Sequence, residues 1–160
     1  MHADQLLIDD HNRLRGLLGR LEATSCDDAN QRRQLLNELT RELSVHVRLE
    51  DELFYPAVRN VSPLIAISLS EHRQIDDRFA AALRTDPASP RFAIELGALK
   101  AQLDQHAGEE EREMFPQAQA LGEAKLEALG QQMQGRQQQL RRSKLARFRV
   151  ALKREILRHT

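Results

Sequence analysis

The sequence contains one cysteine, one tyrosine and no tryptophan among its 160 residues. A single thiol, Cys26, cannot form an internal disulfide, and this suits a reducing compartment. No segment approaches about 18 uninterrupted apolar residues, which excludes a membrane-spanning helix. The first residues also lack a basic region followed by an apolar core. We therefore predict no secretory signal and expect the protein in the cytoplasm.

The net charge of the chain is zero, but the charges are unevenly distributed. Residues 137–160 carry eight Lys or Arg and one Glu, and the rest of the chain is acidic by the same margin. The length fits one domain with a sizeable core. Ala, Leu, Gln, Glu and Arg are abundant, and they favour helix because their side chains lose little rotamer freedom there. The composition therefore predicts a helical domain with a basic C-terminal segment.

Three short polar stretches divide the first part of the chain into four segments of helical periodicity: residues 24–30, 59–63 and 84–90. In the first segment the residues that recur at spacings of four and three are Leu7, His11, Leu14, Leu18 and Leu21. This spacing is typical of one face of a helix, and the other three segments repeat it. The pattern predicts an all-α fold, an up-down-up-down antiparallel four-helix bundle with extra C-terminal helices.

The sequence after the fourth segment predicts the extra C-terminal helices. Leu126, Leu129 and Met133 share one helical face, and a basic amphipathic helix follows them. We place the bundle and the start of this extension in residues 1–134 and the basic helix in residues 135–160. The basic helix is expected to pack on the bundle or to join subunits in a homo-oligomer. It contains no recognisable reader module, so no specific nucleic-acid binding is predicted.

One eleven-residue motif occurs twice, as HVRLEDELFYP at residues 46–56 and as HAGEEEREMFP at residues 106–116. Both copies begin with His, have Glu at the fifth position and end with an aromatic residue followed by Pro. The spacing places His and Glu one helical turn apart on the same face. Pro56 and Pro116 are expected to bend or end their helices.

Six polar residues occupy positions that the periodicity assigns to the interior of the bundle: His11, His46, Glu50, His72, His106 and Glu110. The first two histidines lie 35 residues apart and the last two 34, which indicates a duplicated helical hairpin. Antiparallel packing then brings all six residues to one level near an end of the bundle. A lone histidine on an apolar face is typically a core residue, but buried carboxylates are costly unless they are paired or bound to a metal. The convergence of all six therefore predicts a metal site.

The type of donor restricts the metal. Four imidazoles and two carboxylates are too many ligands for one tetrahedral zinc, and the histidines exclude an oxygen-only site for Ca²⁺ or Mg²⁺. Nitrogen and oxygen donors with two carboxylates suit a pair of first-row ions, either iron or manganese. The ferritin-like di-iron bundles have Glu-x-x-His, whereas His comes first in this sequence.

The same residues resemble those of the bacterial hemerythrin-like, or HHE cation-binding, domains. The matching elements are the two eleven-residue motifs and two acidic-His pairs, Asp10-His11 and Glu71-His72. The resemblance covers roughly residues 3–130. It implies a non-heme di-iron site with two Fe ions bridged by Glu50 and Glu110, although manganese or a mixed pair suits the same donors.

The resemblance also assigns the histidines to the two irons: His11 and His46 would bind one, His72 and His106 the other. Oxygen-carrying hemerythrins have a fifth His one turn after the residue that matches His72, where this sequence has Asp76. The loss of one nitrogen donor leaves an iron more open and makes simple O2 storage a poor fit.

Two residues are expected beside the ligands rather than among them. Asp76 either ligates as a carboxylate, holds a bound water or faces solvent, and we favour a role next to the ligands. Tyr55 follows Glu50 and is expected mainly to close the core at the end of the bundle; the alternative is that its hydroxyl donates to an iron-bound ligand. Phe54, Met114 and Phe115 are expected to close the core around the pocket.

Three functions suit such a site. The first is binding or sensing of O2, NO or a related small oxidant at the iron pair. The second is enzymatic reduction of peroxide or NO at the same irons. The third is iron storage, sensing or repair of iron centres. Repair is less favoured because repair-type relatives have an additional cysteine-containing N-terminal domain, whereas here the first predicted helix begins almost at Met1.

Overall fold

The computed structural model describes residues 1–143, and no β-strand occurs among them. Five long helices account for most of this part of the chain: α1 (Ala3–Glu22), α2 (Ala29–Leu49), α3 (Ile65–Arg84), α4 (Arg91–Glu109) and α5 (Glu123–Arg142). The first four form two helical hairpins, with α1 packed on α2 and α3 on α4, and α1 also contacts α4. The predicted all-α bundle with an additional C-terminal helix is confirmed.

The predicted polar stretches lie at the helix boundaries. Ser25 and Asp28 form a capping box before α2, in which the backbone N–H of Ser25 donates to Oδ2 of Asp28 at 2.8 Å. The turn between α3 and α4 is tied to the first hairpin by the buried Arg32, which donates to the backbone carbonyl of Pro87 at 2.7 Å. These contacts fix the two hairpins relative to each other at the end that lies away from the six polar residues.

Both copies of the eleven-residue motif change helix type at their glutamate. The α2 helix passes into a π-helical turn at Glu50–Phe54, and α4 does so at Glu110–Met114. In the first turn the backbone N–H of Tyr55 donates to the carbonyl of Glu50, five residues earlier. Proline follows in both copies, and each helix ends two residues after it, at Val58 and Ala118. The expectation for the two prolines is confirmed, whereas the π-helical turns are not apparent from periodicity.

A buried polar layer separates two apolar clusters in the bundle. The cluster on one side contains leucines and aromatic residues of the four bundle helices, including Leu14, Leu39, Ile75, Phe79 and Leu99. The cluster on the other side combines the ends of these helices with residues of α5, including Leu7, Leu49, Phe54, Met114 and Leu126. All six predicted polar residues are buried in the layer between these clusters.

The α5 helix packs on α1 and α2 and runs across residue 134, the expected boundary of the bundle. Its residues Leu126, Leu129 and Met133 are buried, as the periodicity predicts. Gly130 permits a close approach to the start of the chain, since a Cβ there would clash with the carbonyl oxygen of Met1. Most of the basic segment, residues 144–160, lies outside the described residues, so the proposed division into domains stays a prediction. Within residues 1–143, no helix is long and apolar enough to cross a membrane.

Candidate metal centre

Each of the four bundle helices contributes one histidine to the polar layer. These are His11 on α1, His46 on α2, His72 on α3 and His106 on α4, and all four are buried. Glu50 and Glu110, at the first positions of the two π-helical turns, are almost inaccessible, with exposed fractions of 0% and 1%. The six residues singled out in the sequence therefore converge in the structure.

The six residues form two clusters of converging ligand atoms. In the first cluster, Nε2 of His46 lies 3.0 Å from Oε1 of Glu50, and Nε2 of His11 lies 3.3 Å from Oε2 of Glu110. All four atoms lie within 4.8 Å of one another. This is a spacing at which one ion can contact several of them.

The second cluster shares Glu50 with the first. Its other members are His72, whose Nε2 lies 2.8 Å from Oε2 of Glu50, and His106, whose Nε2 lies 3.2 Å from that of His72. Glu50 thus directs one carboxylate oxygen to each cluster. Glu110 belongs only to the first cluster, so its expected bridging role stays a prediction. Two buried His/Glu clusters that share a carboxylate are consistent with a binuclear metal site.

The first cluster contains buried polar atoms that have no hydrogen-bond partner. These four atoms are Nε2 of His11, Nε2 of His46, Oε1 of Glu50 and Oε2 of Glu110. They face one another at 3.0–3.9 Å, but none of these contacts has the geometry of a hydrogen bond. Leaving a buried polar atom unpaired typically costs about 1–3 kcal/mol, and more if the group is charged. A cation in contact with all four atoms would remove this cost. The imidazole nitrogens and carboxylate oxygens of these residues therefore fit as donors to a metal ion.

Every histidine of the two clusters has a carboxylate at its other ring nitrogen, Nδ1. The pairs, with their Nδ1–oxygen distances, are His11–Glu111 at 2.9 Å, His72–Asp51 at 2.9 Å, His46–Asp10 at 3.4 Å and His106–Glu71 at 3.4 Å. An Nδ1–H that donates to a carboxylate fixes the orientation of the ring and leaves Nε2 to face a metal. This arrangement is typical of metal-binding histidines.

Helical periodicity alone does not indicate these four carboxylates. The signal that identifies them is a repeated acidic neighbour, because an acidic residue precedes His11 and His72 and another follows Glu50 and Glu110. Each acidic neighbour contacts a histidine on a different helix. The duplicated hairpin therefore repeats the supporting carboxylates as well as the histidines.

Tyr55 occupies the centre of the site rather than its edge. Its hydroxyl donates to Oε1 of Glu110 at 2.6 Å, and it lies 3.2 Å from Oε2 of Glu50 and 3.1 Å from Nε2 of His72. An α-helix would place residues i and i+5 about 140° apart, and the wider π-helical turn brings Tyr55 back towards Glu50. Burial and the charges of Glu50 and Glu110 raise the pKa of Tyr55. The phenol therefore stays neutral and keeps its proton.

The remaining residues near the motifs pack differently from Tyr55. Phe115, at the equivalent position of the second motif, stacks on His11 with ring centroids 5.8 Å apart. Phe54 and Met114 are buried in the apolar cluster that includes α5, so they close the core as expected. Asp76 lies one turn after His72 and is exposed, and it belongs to neither cluster.

The charges of the two clusters stabilise one another. Burial acts to lower the pKa of His46, but the charge of Glu50 and the hydrogen bond to Asp10 outweigh it and raise that pKa to about 10. Burial acts to raise the pKa of Glu50, but the charge of His46 and hydrogen bonds from the surrounding histidines hold it well below its ordinary value. Without metal, protons on the rings balance the buried carboxylates, and a bound cation would take their place.

A small cavity lies beside the first cluster. Its volume is about 10 Å³, which is room for roughly one water-sized molecule. Its walls are the rings of three histidines, four apolar side chains and an Arg–Asp pair: His11, His46, His106, Leu14, Leu18, Leu103, Ala107, Arg15 and Asp104. Arg15 and Asp104 are partly exposed, so this is the side of the first cluster that lies towards solvent.

Comparisons with known proteins agree with this geometry. Residues 2–118 match the family model described as the hemerythrin HHE cation binding domain. The chain is 36% identical over 160 residues to two proteins named as uncharacterized, Rv2633c of Mycobacterium tuberculosis and Mb2666c of Mycobacterium bovis, with 99% of each chain covered.

A solved structure is also similar. It is the crystal structure of a hemerythrin HHE cation binding domain-containing protein from Mycobacterium kansasii, a homolog of Rv2633c. It superposes with a TM-score of 0.84 at 36% sequence identity and covers 93% of both chains. The family match extends over most of the chain, and the similar structure has the same fold. This chain belongs to the hemerythrin HHE cation-binding domain family.

Proposed function

We propose that this protein binds a pair of iron ions and uses them to bind or sense a small molecule such as O2, NO or a related oxidant. The proposed ligands are the six residues of the two clusters: His11, His46, Glu50, His72, His106 and Glu110. The observation that carries the proposal is the set of four buried, unpaired atoms in the first cluster. The two oxygens of Glu50, which face different clusters, support a pair of ions rather than one.

Iron is the proposed metal because the donors are imidazole nitrogens and carboxylate oxygens. Both clusters lack a thiolate, and Cys26 is exposed outside them. Imidazole with carboxylate is typical of non-heme iron and also suits manganese. A reduced iron pair, when bound, supplies electrons and an open coordination position to a small oxidant. The protein contributes the orientation of the histidines and the exclusion of water.

The size of the neighbouring cavity limits the exogenous ligand. A volume of about 10 Å³, with room for roughly one water-sized molecule, suits a very small ligand rather than an organic substrate. The apolar side chains of Leu14, Leu18 and Leu103 line it, which suits an uncharged ligand such as O2 or NO. We therefore favour a binder or sensor of small molecules over an oxidase with an organic substrate.

Reduction of peroxide or NO is a second candidate, and Tyr55 supports it. Such a reduction builds up negative charge on the oxidant, and the hydroxyl of Tyr55 is a hydrogen-bond donor between Glu110 and Glu50. Because the pKa of this phenol is raised by burial and by the two carboxylates, Tyr55 acts in this proposal as a hydrogen-bond donor and not as a phenolate. The hydroxyl lies between Glu110 of the first cluster and His72 of the second.

The deciding experiment loads the protein with ferrous iron without oxygen and records metal content and optical spectra. The loaded protein is then exposed separately to O2, NO and peroxide. An absorption band that appears with O2 or NO and disappears on degassing supports binding or sensing. Catalytic consumption of peroxide or NO supports the enzyme. A protein that retains no iron, or one whose spectrum responds to none of the three, would contradict both functions.

A further inference from the structure

The α5 helix lies beyond the residues matched by the family model, yet it contacts the polar network of the site. We propose that Gln137 of α5 positions Asp10 and, through it, the ring of His46, and that the first cluster therefore binds its metal more tightly than the second. This inference rests on the proposed binding of two metal ions. It makes Gln137 a positioning residue of the centre, not a ligand.

The contacts run directly from α5 to the first cluster. The side-chain amide of Gln137 donates to both carboxylate oxygens of Asp10, at 3.0 Å to Oδ1 and 3.3 Å to Oδ2. Asp10 is buried, and its Oδ2 lies 3.4 Å from Nδ1 of His46. Arg13 also donates to Oδ1 at 3.2 Å. Both oxygens of Asp10 are therefore held, and the carboxylate has little freedom to turn away from His46.

Ion pairs on both sides of Gln137 hold α5 in place. Arg136 donates from Nε to Oε2 of Glu52 at 2.9 Å, and Arg141 donates from Nη2 to Oε2 of Glu42 at 3.0 Å. Exposed pairs of this kind contribute little to stability individually, but here they restrict the sliding and rotation of α5 relative to α2. Gln137 consequently presents its amide to Asp10 from a fixed position.

Within residues 1–143, no equivalent support is present at the second hairpin. Glu71 takes the place of Asp10 and lies 3.4 Å from Nδ1 of His106 through its Oε1. The other oxygen of Glu71 is buried and has no hydrogen-bond partner among the described residues. The ring of His106 is therefore less firmly oriented than that of His46.

The test is an anaerobic calorimetric titration with ferrous iron of four proteins: wild type, Gln137→Leu, Asp10→Asn and the double variant. Loss of a residue that orients a metal-binding histidine typically weakens metal affinity about 10–100-fold. We expect Gln137→Leu to weaken the tighter binding step about 10-fold and to leave the weaker step unchanged. Because Gln137 acts through Asp10, the double variant should match Asp10→Asn alone.

Gln138→Leu is the matched control, since Gln138 is the next residue on α5 and is exposed. It should leave both binding steps unchanged. Melting curves of the metal-free proteins show whether each variant folds. If Gln137→Leu does not fold, Gln137→Glu replaces it, because Glu has nearly the same shape as Gln but no N–H donor. The same selective loss is expected for it.

Apart from an unaltered tighter step, two patterns of loss overturn the inference. One is an equal loss in both binding steps, and the other is a loss in the double variant that equals the sum of the single losses. Either result would mean that Gln137 supports the fold in general. The titrations also separate this inference from the proposed function. Saturation of the wild-type protein at a single ion contradicts the iron pair. Binding of two ions with an unaltered tighter step in Gln137→Leu contradicts only the role of α5.

Discussion

The hydroxyl of Tyr55 donates a 2.6 Å hydrogen bond to Oε1 of Glu110. This bond engages one oxygen of Glu110, whereas both oxygens of Glu50 face histidines of the two clusters. The two glutamates are equivalent in the repeated motif but not in the site. Phe115, the counterpart of Tyr55, has no hydroxyl, so the duplicated hairpins differ at the position where a proton donor enters the centre.

Replacement of Tyr55 by Phe should destabilise the metal-free protein by about 1–3 kcal/mol, because Oε1 of Glu110 stays buried without its donor. The loss should be smaller in the metal-loaded protein, where Glu110 is free to turn towards an ion. Denaturant unfolding of both forms measures the difference. Equal stability of the metal-free variant and wild type would mean that the Tyr55–Glu110 contact is energetically unimportant.

Tyr55 is the only tyrosine and the chain has no tryptophan, so intrinsic fluorescence reports on the site alone. We expect ferrous iron to change the tyrosine emission in proportion to the metal bound, since the phenol contacts both glutamates. Zinc, which lacks redox chemistry, tests whether the change depends on the kind of metal. Emission that stays constant while metal analysis shows loading would place the ions away from Tyr55.

The shared position of Glu50 predicts unequal effects of the two glutamates on metal content. Glu50→Ala removes a donor from both clusters and should abolish stable binding of the pair. Glu110→Ala removes a donor of the first cluster and leaves the donors of the second in place, so it should retain about one ion per chain. Asp77→Ala, which removes an exposed carboxylate of α3, is the control and should load like wild type. Full loading of Glu50→Ala would rule out a bridge through this residue.

Removal of the metal should lower the stability of the fold. Metal that binds only the folded state stabilises it by RT ln(1 + [L]/Kd), which is about 2.7 kcal/mol when the free metal concentration is one hundred times Kd. The four buried unpaired atoms identify the first cluster as the main source of this effect. Melting curves before and after chelation measure it, and coincident curves would show that the six residues do not bind metal together.

The stability of the metal-free protein should depend on pH in a defined direction. Because the pKa of His46 is raised from 6.5 to about 10, its stabilisation is complete below pH 6.5 and is lost as the pH rises through about 10. The pKa of Glu50 is lowered below its ordinary value of 4.5, so its stabilisation is present above that value and is lost as the pH falls through the lowered pKa.

Metal-free protein should therefore be most stable between about pH 4.5 and 6.5, and its melting temperature should fall towards pH 10. A series of melting curves across this range tests the sign. His46→Ala is the comparison, because the fall between pH 6.5 and 10 should be shallower without the ring. A melting temperature that stays constant between about pH 7.5 and 10 would show that the histidine rings are already neutral in the folded metal-free protein.

Periodicity and spacing were enough to predict the bundle and the six converging residues. An amphipathic helix repeats every 3.6 residues, so a histidine such as His11 on an apolar stripe must lie in the interior. The duplicated motif then places Glu50 and Glu110 at the same level as the histidines. These conclusions depend on local geometry and on burial, both of which the order of residues specifies directly.

Only the tertiary structure determined how the six residues are used. The π-helical turn brings Tyr55 onto Glu50, and it arises in a helix whose i→i−4 hydrogen bonding is interrupted near Pro56. The contact of His11 with Glu111 joins residues 100 positions apart, and that of Gln137 with Asp10 joins residues 127 apart. Such contacts depend on how whole helices pack and rotate against one another. For this reason helical periodicity identified the histidines and glutamates of the site, whereas the packing of five helices decided which carboxylate is shared between the clusters and which side chains orient the rings.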